Sequence, residues 1–254
     1  MEDVLRLAAL APPFAIRLYQ DGIEAAGQRL VVLAIAIGLS YGWALLFAWR
    51  TGRPLGPALL PYAMTFVLLL PGPVAWTGAA LALSFGAVFG REIFGGKVVL
   101  PPAAIGLAFA IFSFPEGGFE ARSILTSEPD PLFALSCVPG AAILTWKGAL
   151  CWRTAIGAAV GAMTAGFLME ASAPWEHAGL GAFAAGVIFL AADPASAPRH
   201  RGARWLHGLL VGELIVLIRL GNPEQPDGVV FAALLAGLFA PLLDRVPVWG
   251  QTHD

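Results

Sequence analysis

The sequence predicts an all-α integral membrane protein, a bundle of about ten transmembrane helices. Hydrophobic residues make up 58% of the 254 residues and charged residues only 13%, whereas roughly a quarter of the residues in a soluble domain are charged. Apolar stretches recur along the whole chain, and lipid favours helices because it offers no partner for an unpaired peptide group. The net charge of −2, without a long charged block, does not favour nucleic acid as a partner. The expected surroundings are the lipid bilayer and neighbouring subunits.

Nine apolar stretches are long enough to cross the hydrocarbon core, which takes about 20 residues and somewhat fewer inside a bundle. They lie near residues 30–49, 56–71, 73–90, 98–114, 131–147, 153–170, 177–192, 204–220 and 228–244. A tenth stretch, residues 4–19, is shorter, is broken by Pro12 and Pro13 and is flanked by Arg6 and Arg17. It is either a tenth span or an interfacial helix.

The positive charges of the connecting loops predict the topology. Lys and Arg in short loops stay on the cytoplasmic side, and acidic residues contribute little. Every second loop is basic, beginning with Arg50 and Arg53, whereas the loops at 115–130 and 221–227 are acidic. The basic loops are therefore predicted to be cytoplasmic and the loop 115–130 external. Counting residues 4–19 as a span also places the amino terminus inside, which favours ten spans over nine.

A weak internal repeat indicates two halves. Residues 65–74, TFVLLLPGPV, and residues 186–196, GVIFLAADPAS, both end an apolar helix with proline and small residues. Downstream of each, FGAVFGREIFGG and VGELIVLIRLGN place an arginine near a helix end before glycine, at an offset of about 125 residues. The offset spans an odd number of crossings, so the copies would be inverted repeats. We predict one transmembrane domain, residues 1–254, with repeat halves at about 1–130 and 131–245.

Several motifs stand in an order shared with a known family. They are SFGAVFGREIFGG (84–96), PPAAIGLAFAIFSFP (101–115), WRTAIG (152–157), GAFAAGVIFLAADPASAP (181–198) and GLLVGELIVLIRLGNPEQPDGVVFAALLAGLFAPLLDR (208–245). Over most of residues 60–245 the chain resembles the RnfD protein of the Rnf electron-transport complex and the NqrB protein of the sodium-translocating NADH:quinone oxidoreductase. The resemblance implies a ten-helix subunit of the bacterial inner membrane that works with other membrane and electron-transfer subunits. It also implies bound flavin and electron flow coupled to Na⁺ or H⁺ translocation.

The flavin implied by the resemblance is FMN or riboflavin. In the family, FMN is attached by a phosphodiester to a threonine of an external loop, in a motif resembling D-x-x-S-G-A-T. The corresponding loop here is FEARSILTSEPDPL, residues 119–132, which the loop charges independently place outside. Thr126 and Ser127 are the candidate acceptors, but Glu128 and Pro129 follow where the family has Ala-Thr. This departure argues against covalent attachment: either flavin is held without a bond or the site is lost.

Two carboxylates are candidates for an ion pathway. Glu213 lies in the middle of an apolar helix, where an ionised side chain costs several kcal/mol unless it is paired or lines a wet cavity. A neutral, hydrogen-bonded Glu213 is the alternative, and a pair with Arg219 is less natural because helical neighbours are three or four residues apart. Asp193 ends the stretch VIFLAADPASAP, where Pro194 is predicted to break the helix. There it either binds a cation or a polar cofactor group, or simply ends the helix.

Arginine and glycine near helix ends are candidates for flavin binding. Arg91 precedes Gly95 and Gly96, and glycine lets a backbone approach a flat ligand or a neighbouring helix closely. Arg91 would then lie near a phosphate or an isoalloxazine edge, or else snorkel to the membrane surface and set the topology. Arg219, near the outer end of its span, has the same two interpretations.

Two further functions fit the same sequence. One is a small-solute or ion channel or transporter that uses the inverted-repeat bundle without a redox role. The other is a cofactor-free membrane anchor for a redox partner. Cys137 and Cys151 lack the spacing typical of zinc or iron–sulfur sites, so neither a metal ligand nor a catalytic residue is predicted.

Overall fold

The computed structural model describes residues 2–52, 54, 59–70, 74–114, 130–169, 181–221 and 228–245. The α-helices in these ranges are α1 (Glu2–Thr51), α2 (Leu59–Leu69), α3 (Trp76–Gly90), α4 (Pro102–Ser113), α5 (Pro131–Trp146), α6 (Trp152–Met169), α7 (Gly181–Gly186), α8 (Arg201–Gly221) and α9 (Gly228–Leu243). A 3₁₀ turn at Glu92–Phe94 follows α3, and a π-helical turn at Val187–Ala191 continues α7. The described ranges contain no strand, which confirms the all-α class.

The first helix consists of two helical segments joined at Gly22. Gly22 has φ 74° and ψ 176°, outside the helical region, and glycine reaches positive φ without a steric cost. The break therefore falls at Gly22 and not at Pro12 and Pro13, which lie inside the first segment. With residues 2–21 and 23–51 counted separately, helical segments occupy all ten predicted stretches.

Helix length and composition alone identify one membrane span among the described residues, Asp3–Thr51. Four further helices are apolar but have only 10–17 residues: Leu60–Leu69, Pro102–Ser113, Pro131–Trp146 and Gly228–Leu243. The positions of the helices agree with the predicted stretches, while the number of spans stays a prediction.

Small residues allow α6 and α8 to pack closely. A Cβ on Gly208 would lie 2.4 Å from the carbonyl oxygen of Thr154, and a Cβ on Gly212 would lie 2.1 Å from that of Ala158. The paired positions rise together along both helices, so α6 and α8 run parallel. Glycine also brings α3 against α4, because a Cβ on Gly86 would lie 2.2 Å from a backbone oxygen of α4. Small residues of this kind are typical of helix crossings in membrane bundles.

Polar contacts tie the connections together at two opposite ends of the bundle. At the first, which we call the Asp193 end, Arg6 of α1 pairs with Asp193 at 2.9 Å. The Cys151 amide, between α5 and α6, donates to the Ala192 carbonyl at 2.9 Å. The amino-terminal part of α1, the α5–α6 connection and the α7–α8 connection therefore meet at this end.

The second group of contacts, which we call the Asp21 end, lies where the first segment of α1 finishes. Asp21 pairs with Arg29, which is only 5% exposed. Arg29 also donates to the carbonyl oxygens of Val67 at 2.7 Å and Leu70 at 3.2 Å. A cation at this position satisfies orphan carbonyls and complements the helix dipole at the carboxyl end of α2.

Residue Asp130 brings the start of α5 to the same Asp21 end. Its carboxylate accepts from the Phe133 amide at 2.9 Å as the N-cap of α5, and it accepts from Gln20 at 2.8 Å. The rest of the predicted external loop, residues 115–129, lies outside the described residues.

Large apolar side chains cover the outside of the bundle as well as its core. Trp146, Leu168 and Phe167 are 81%, 77% and 70% exposed, whereas Phe66 and Phe133 are at most 1% exposed. Soluble proteins rarely expose contiguous apolar surface on this scale. The distribution indicates that the bundle has apolar surroundings.

Candidate functional site

Asp193 lies directly after α7, where the helix widens into a π turn and stops. The Ala192 amide donates to the Val187 carbonyl at 2.8 Å, which closes the π turn. Pro194 disfavours helical backbone at the residue before it, and the Asp193 carboxylate accepts from the Ala195 amide at 3.1 Å. The carboxylate at the end of this apolar run therefore stabilises the turn that ends the helix. π turns often occur at functional sites.

The Asp193 carboxylate is buried and accepts four hydrogen bonds. Arg6 donates from Nη1 to Oδ2 at 2.9 Å and from Nη2 to Oδ1 at 3.0 Å, which makes a bidentate pair. Tyr62 of α2 donates its hydroxyl to Oδ2 at 3.2 Å, and the Ala195 amide completes the set. Asp193 is 6% exposed. A carboxylate has about four lone-pair positions, so the acceptor capacity of Asp193 is filled.

This pairing decides what Asp193 can bind. Arg6 occupies both carboxylate oxygens, so a cation can coordinate Asp193 only after Arg6 withdraws. Withdrawal of one partner leaves a buried charge uncompensated, which is strongly unfavourable. The pair can therefore act as a lock whose opening exposes a carboxylate.

A small cavity of about 20 Å³ lies beside the pair. Arg6, Tyr62, Thr65 and Asp193 line it together with apolar side chains such as Leu10. A cavity of this size holds about one water molecule when polar partners are present. The cavity can supply a hydrogen-bonding molecule next to the carboxylate without opening the bundle.

Arg6 and Tyr62 are the residues of this site that sequence reasoning missed. The sequence interpretation used Arg6 only as a charge flanking the first stretch. An arginine beside an apolar stretch needs an acidic or hydrogen-bonding partner, and that requirement is the signal that would have found it. Tyr62 carries no comparable signal, because its contact with Asp193 depends on how α2 packs.

The residues Arg91, Gly95 and Gly96 form a tight turn after α3. Arg91 is 3% exposed, its Nε donates to the Gly96 carbonyl at 3.3 Å, and it lies 3.9 Å from a carboxylate oxygen of Glu92. Gly95 and Gly96 have φ 72° and 81°, so the turn itself requires glycine at both positions. Among the described residues, Nη1 of Arg91 is buried with no hydrogen-bond partner. A buried, unsatisfied donor is suited to an acceptor on a ligand.

Glu213 and Arg219 lie on different faces of α8. Glu213 is exposed at the outer surface, in a groove of about 380 Å³ between α6 and α8 that Leu168 and Leu217 help to line. The side chain of Glu213 makes no hydrogen bond or ion pair within the described part of the chain. Arg219 is 6% exposed in the last turn of the helix.

Comparison with known proteins places the chain in a family. The sequence profile of the NQR2, RnfD, RnfE family matches residues 1–122 and 130–249. The chain belongs to this family. The NqrB protein of the Na(+)-translocating NADH-quinone reductase of Chromohalobacter salexigens is 30% identical, over 90% of this chain and 67% of the relative. The protein of the same name in Pseudomonas paraeruginosa is 31% identical, over 81% of this chain and 63% of the relative.

Membership of the NQR2, RnfD, RnfE family confirms the resemblance drawn from the motifs. The chain spans about two thirds of the length of the curated relatives it matches. Thr126 and Ser127, the predicted acceptors for covalent FMN, lie between the two matched segments. They also lie outside the described residues.

The predicted cofactor residues of this family member are at two separate places. Arg91, Gly95 and Gly96 follow α3 at the Asp193 end, because α2 runs to the Asp21 end and α3 returns. Arg219 is at the Asp21 end, because the 21 residues of α8 begin beyond Asp193 and run away from it. A helix of that length spans about 30 Å. Arg91 and Arg219 therefore do not contact a common flavin ring.

Proposed function

We propose that this chain is a membrane subunit of a bacterial inner-membrane electron-transport complex of the Nqr or Rnf type, in which electron flow is coupled to Na⁺ or H⁺ translocation. The observation that carries the proposal is the family match over residues 1–122 and 130–249. The relatives are named as subunits of the Na(+)-translocating NADH-quinone reductase. The proposed partners are therefore the other membrane and electron-transfer subunits of such a complex.

The bundle is proposed to cross the membrane ten times, with the Asp193 end in the cytoplasm and the loop 115–130 outside. The exposed apolar side chains support a lipid environment. The basic residues of the α5–α6 connection, Lys147 and Arg153, lie at the Asp193 end, as the positive-inside rule requires. The acidic Asp130 lies at the opposite end.

Two inverted repeats, about 1–130 and 131–245, are part of the same proposal. Their support is a recurring set of neighbours. α3 packs against α4 as α8 packs against α9, and α2 contacts α4 as α7 contacts α9. In each half, the helix that ends in proline and small residues precedes the helix that carries the arginine. Asp193 then lies near the interface of the halves, where inverted-repeat folds hold their ligands.

Asp193 is proposed as a residue of the ion pathway, with Arg6 as its resident countercharge. A cation arriving at the Asp193 end would compete with Arg6 for the two carboxylate oxygens. Glu213 lies twelve residues into α8, about 18 Å along the helix axis. Since its carboxylate faces outward, Glu213 would join a pathway only where a partner subunit covers the groove between α6 and α8.

FMN or riboflavin is proposed to bind without a covalent bond. Arg91 fits the polar edge or phosphate of a flavin, because its buried Nη1 lacks a partner among the described residues. The turn at Gly95 and Gly96 fixes the backbone beside it. When bound, flavin would supply one- and two-electron transfer; the chain would hold and orient it. Arg219, Thr126 and Ser127 remain candidates for a second site at the opposite end.

Purified protein tests the flavin proposal. We expect flavin absorption in the complex isolated from its host and an intact mass of this chain without an added FMN. Arg91→Gln should lower the flavin content, while Arg50→Gln, which changes an exposed arginine at the end of α1, should not. A colourless wild-type complex would contradict the proposal, and a mass increment of FMN would move the site to Thr126 or Ser127.

Cation uptake by vesicles containing the complex tests the ion pathway. Asp193→Asn should abolish Na⁺ or H⁺ uptake while the subunits still co-purify, because the amide keeps the shape but not the charge. Retained uptake would favour a second candidate function, a cofactor-free anchor for a redox partner. The observation that favours the anchor is the complete hydrogen bonding of Asp193, which a purely structural role also explains.

A further inference from the structure

Helices α5 and α6 follow each other in sequence but scarcely touch. Only the five residues 147–151 connect them, yet within the described structure their packing partners are other helices. The space between them is an open groove of about 700 Å³. Its floor is the π turn after α7, with Val187 and Ile188, and its walls include Val138 of α5 and Ile156 of α6.

The groove opens at the Asp193 end between two tryptophans, each carrying a cation. Trp146 and Trp152 both line the mouth. Lys147 Nζ lies 4.6 Å from the centroid of the Trp146 ring, and Arg153 Cζ lies 4.5 Å from that of the Trp152 ring. Trp205 holds Trp152 by an edge-to-face contact at 5.8 Å. The connection KGALCWR contains no acidic residue, so the mouth is positively charged.

The geometry points to a binding site for an anionic phospholipid, with an acyl chain in the groove and the phosphate between Lys147 and Arg153. Clusters of basic side chains at helix ends attract anionic lipid headgroups, and tryptophan is favoured at headgroup level. A transmembrane helix is a poor fit, because a helix about 10 Å across and as long as α5 fills about 1,900 Å³. The two cations select a charged lipid over a neutral one. This lipid site is independent of the proposed flavin and ion sites.

Brominated lipids test the site directly, since bromine on an acyl chain quenches a tryptophan that it touches. The full chain is reconstituted in nanodiscs with increasing brominated phosphatidylglycerol or brominated phosphatidylcholine. The signal from the mouth is the difference between wild type and the Trp146→Phe/Trp152→Phe variant. We expect half-maximal quenching at a lower mole fraction of phosphatidylglycerol than of phosphatidylcholine. Lys147→Gln and Arg153→Gln should each weaken the phosphatidylglycerol response about fivefold and leave the phosphatidylcholine response unchanged.

Arg50→Gln is the matched control, because Arg50 Cζ also stands over an indole, 5.4 Å from the Trp49 centroid, but away from the groove. It should change neither response. A second variant, Ala159→Phe, fills the groove and should remove quenching by both lipids. Equal quenching by the two lipids, or equal effects of Arg50→Gln and Lys147→Gln, would overturn the inference. Native mass spectrometry that finds a retained quinone in place of phospholipid would also overturn it.

Discussion

Asp193 and Glu213 are both carboxylates in or beside apolar helices, but the structure gives them opposite surroundings. Asp193 is 6% exposed and accepts hydrogen bonds from Arg6, Tyr62 and Ala195. Glu213 is exposed on the outer face of α8 and has no such partner within the described ranges. The cost of a charge in apolar surroundings is therefore offset inside the chain for Asp193, whereas for Glu213 it has to be offset from outside. Two residues with the same chemistry differ in whether the fold or the assembly satisfies them.

The largest expected effect on this comparison comes from Arg6→Ala. It leaves the buried Asp193 charge without a countercharge, which should lower the free energy of unfolding by about 3–5 kcal/mol. The measurement is unfolding of the purified chain in detergent, followed by circular dichroism. Arg6→Met combined with Asp193→Asn should recover most of the loss, because it removes both charges together. An Arg6→Ala variant as stable as wild type would show that the ion pair does not hold this end of the bundle.

A smaller effect is expected from Tyr62→Phe. The change removes one of four hydrogen bonds to Asp193 and keeps the ring, so the free energy of unfolding should fall by about 1 kcal/mol. The same unfolding assay measures it. Tyr62→Phe in the Arg6→Met/Asp193→Asn background is the control, since the effect there should shrink as the charge is gone. An equal loss in both backgrounds would mean that the Tyr62 hydroxyl does not act through Asp193.

The smallest effect on stability is expected from Glu213→Gln. Glu213 is exposed and unpaired among the described residues, so the free energy of unfolding of the isolated chain should change by less than about 0.5 kcal/mol. Asp193→Asn is the matched carboxylate-to-amide change at the buried site and should cost more. The comparison would fail if Glu213→Gln destabilised the isolated chain as much as Asp193→Asn. Weaker co-purification of partner subunits with Glu213→Gln, at unchanged stability, would place its partner in the assembly.

Hydropathy predicts the helices well because membrane-type helices are written locally. The stretch 131–147 corresponds to Pro131–Trp146, and 228–244 corresponds to Gly228–Leu243. The two prolines predict a break in the first stretch, but the break occurs instead at Gly22, which takes a positive φ. Proline reports a missing amide, whereas a change of chain direction needs a residue that tolerates the new backbone angles.

The site could be predicted only in part. The position of Asp193 between an apolar run and Pro194 is enough to single it out. Its partner Arg6 is 187 residues away in the sequence, and no local pattern carries that contact. The burial of Arg91 and the exposure of Glu213 likewise depend on which neighbours cover each helix face. Thr126 and Ser127 stay predictions, since they lie outside the described residues.

Residues 2–21 are anchored at both ends, and to different halves of the chain. Near one end Arg6 holds Asp193 beside α7; at the other, Asp21 holds Arg29, which in turn binds the last carbonyls of α2. A helix of this length is about 30 Å long and resists compression along its axis. It therefore works as a strut across the bundle: any tilt of one half against the other strains both anchors at once. Release of Arg6 on one side of the membrane would be felt mechanically on the other.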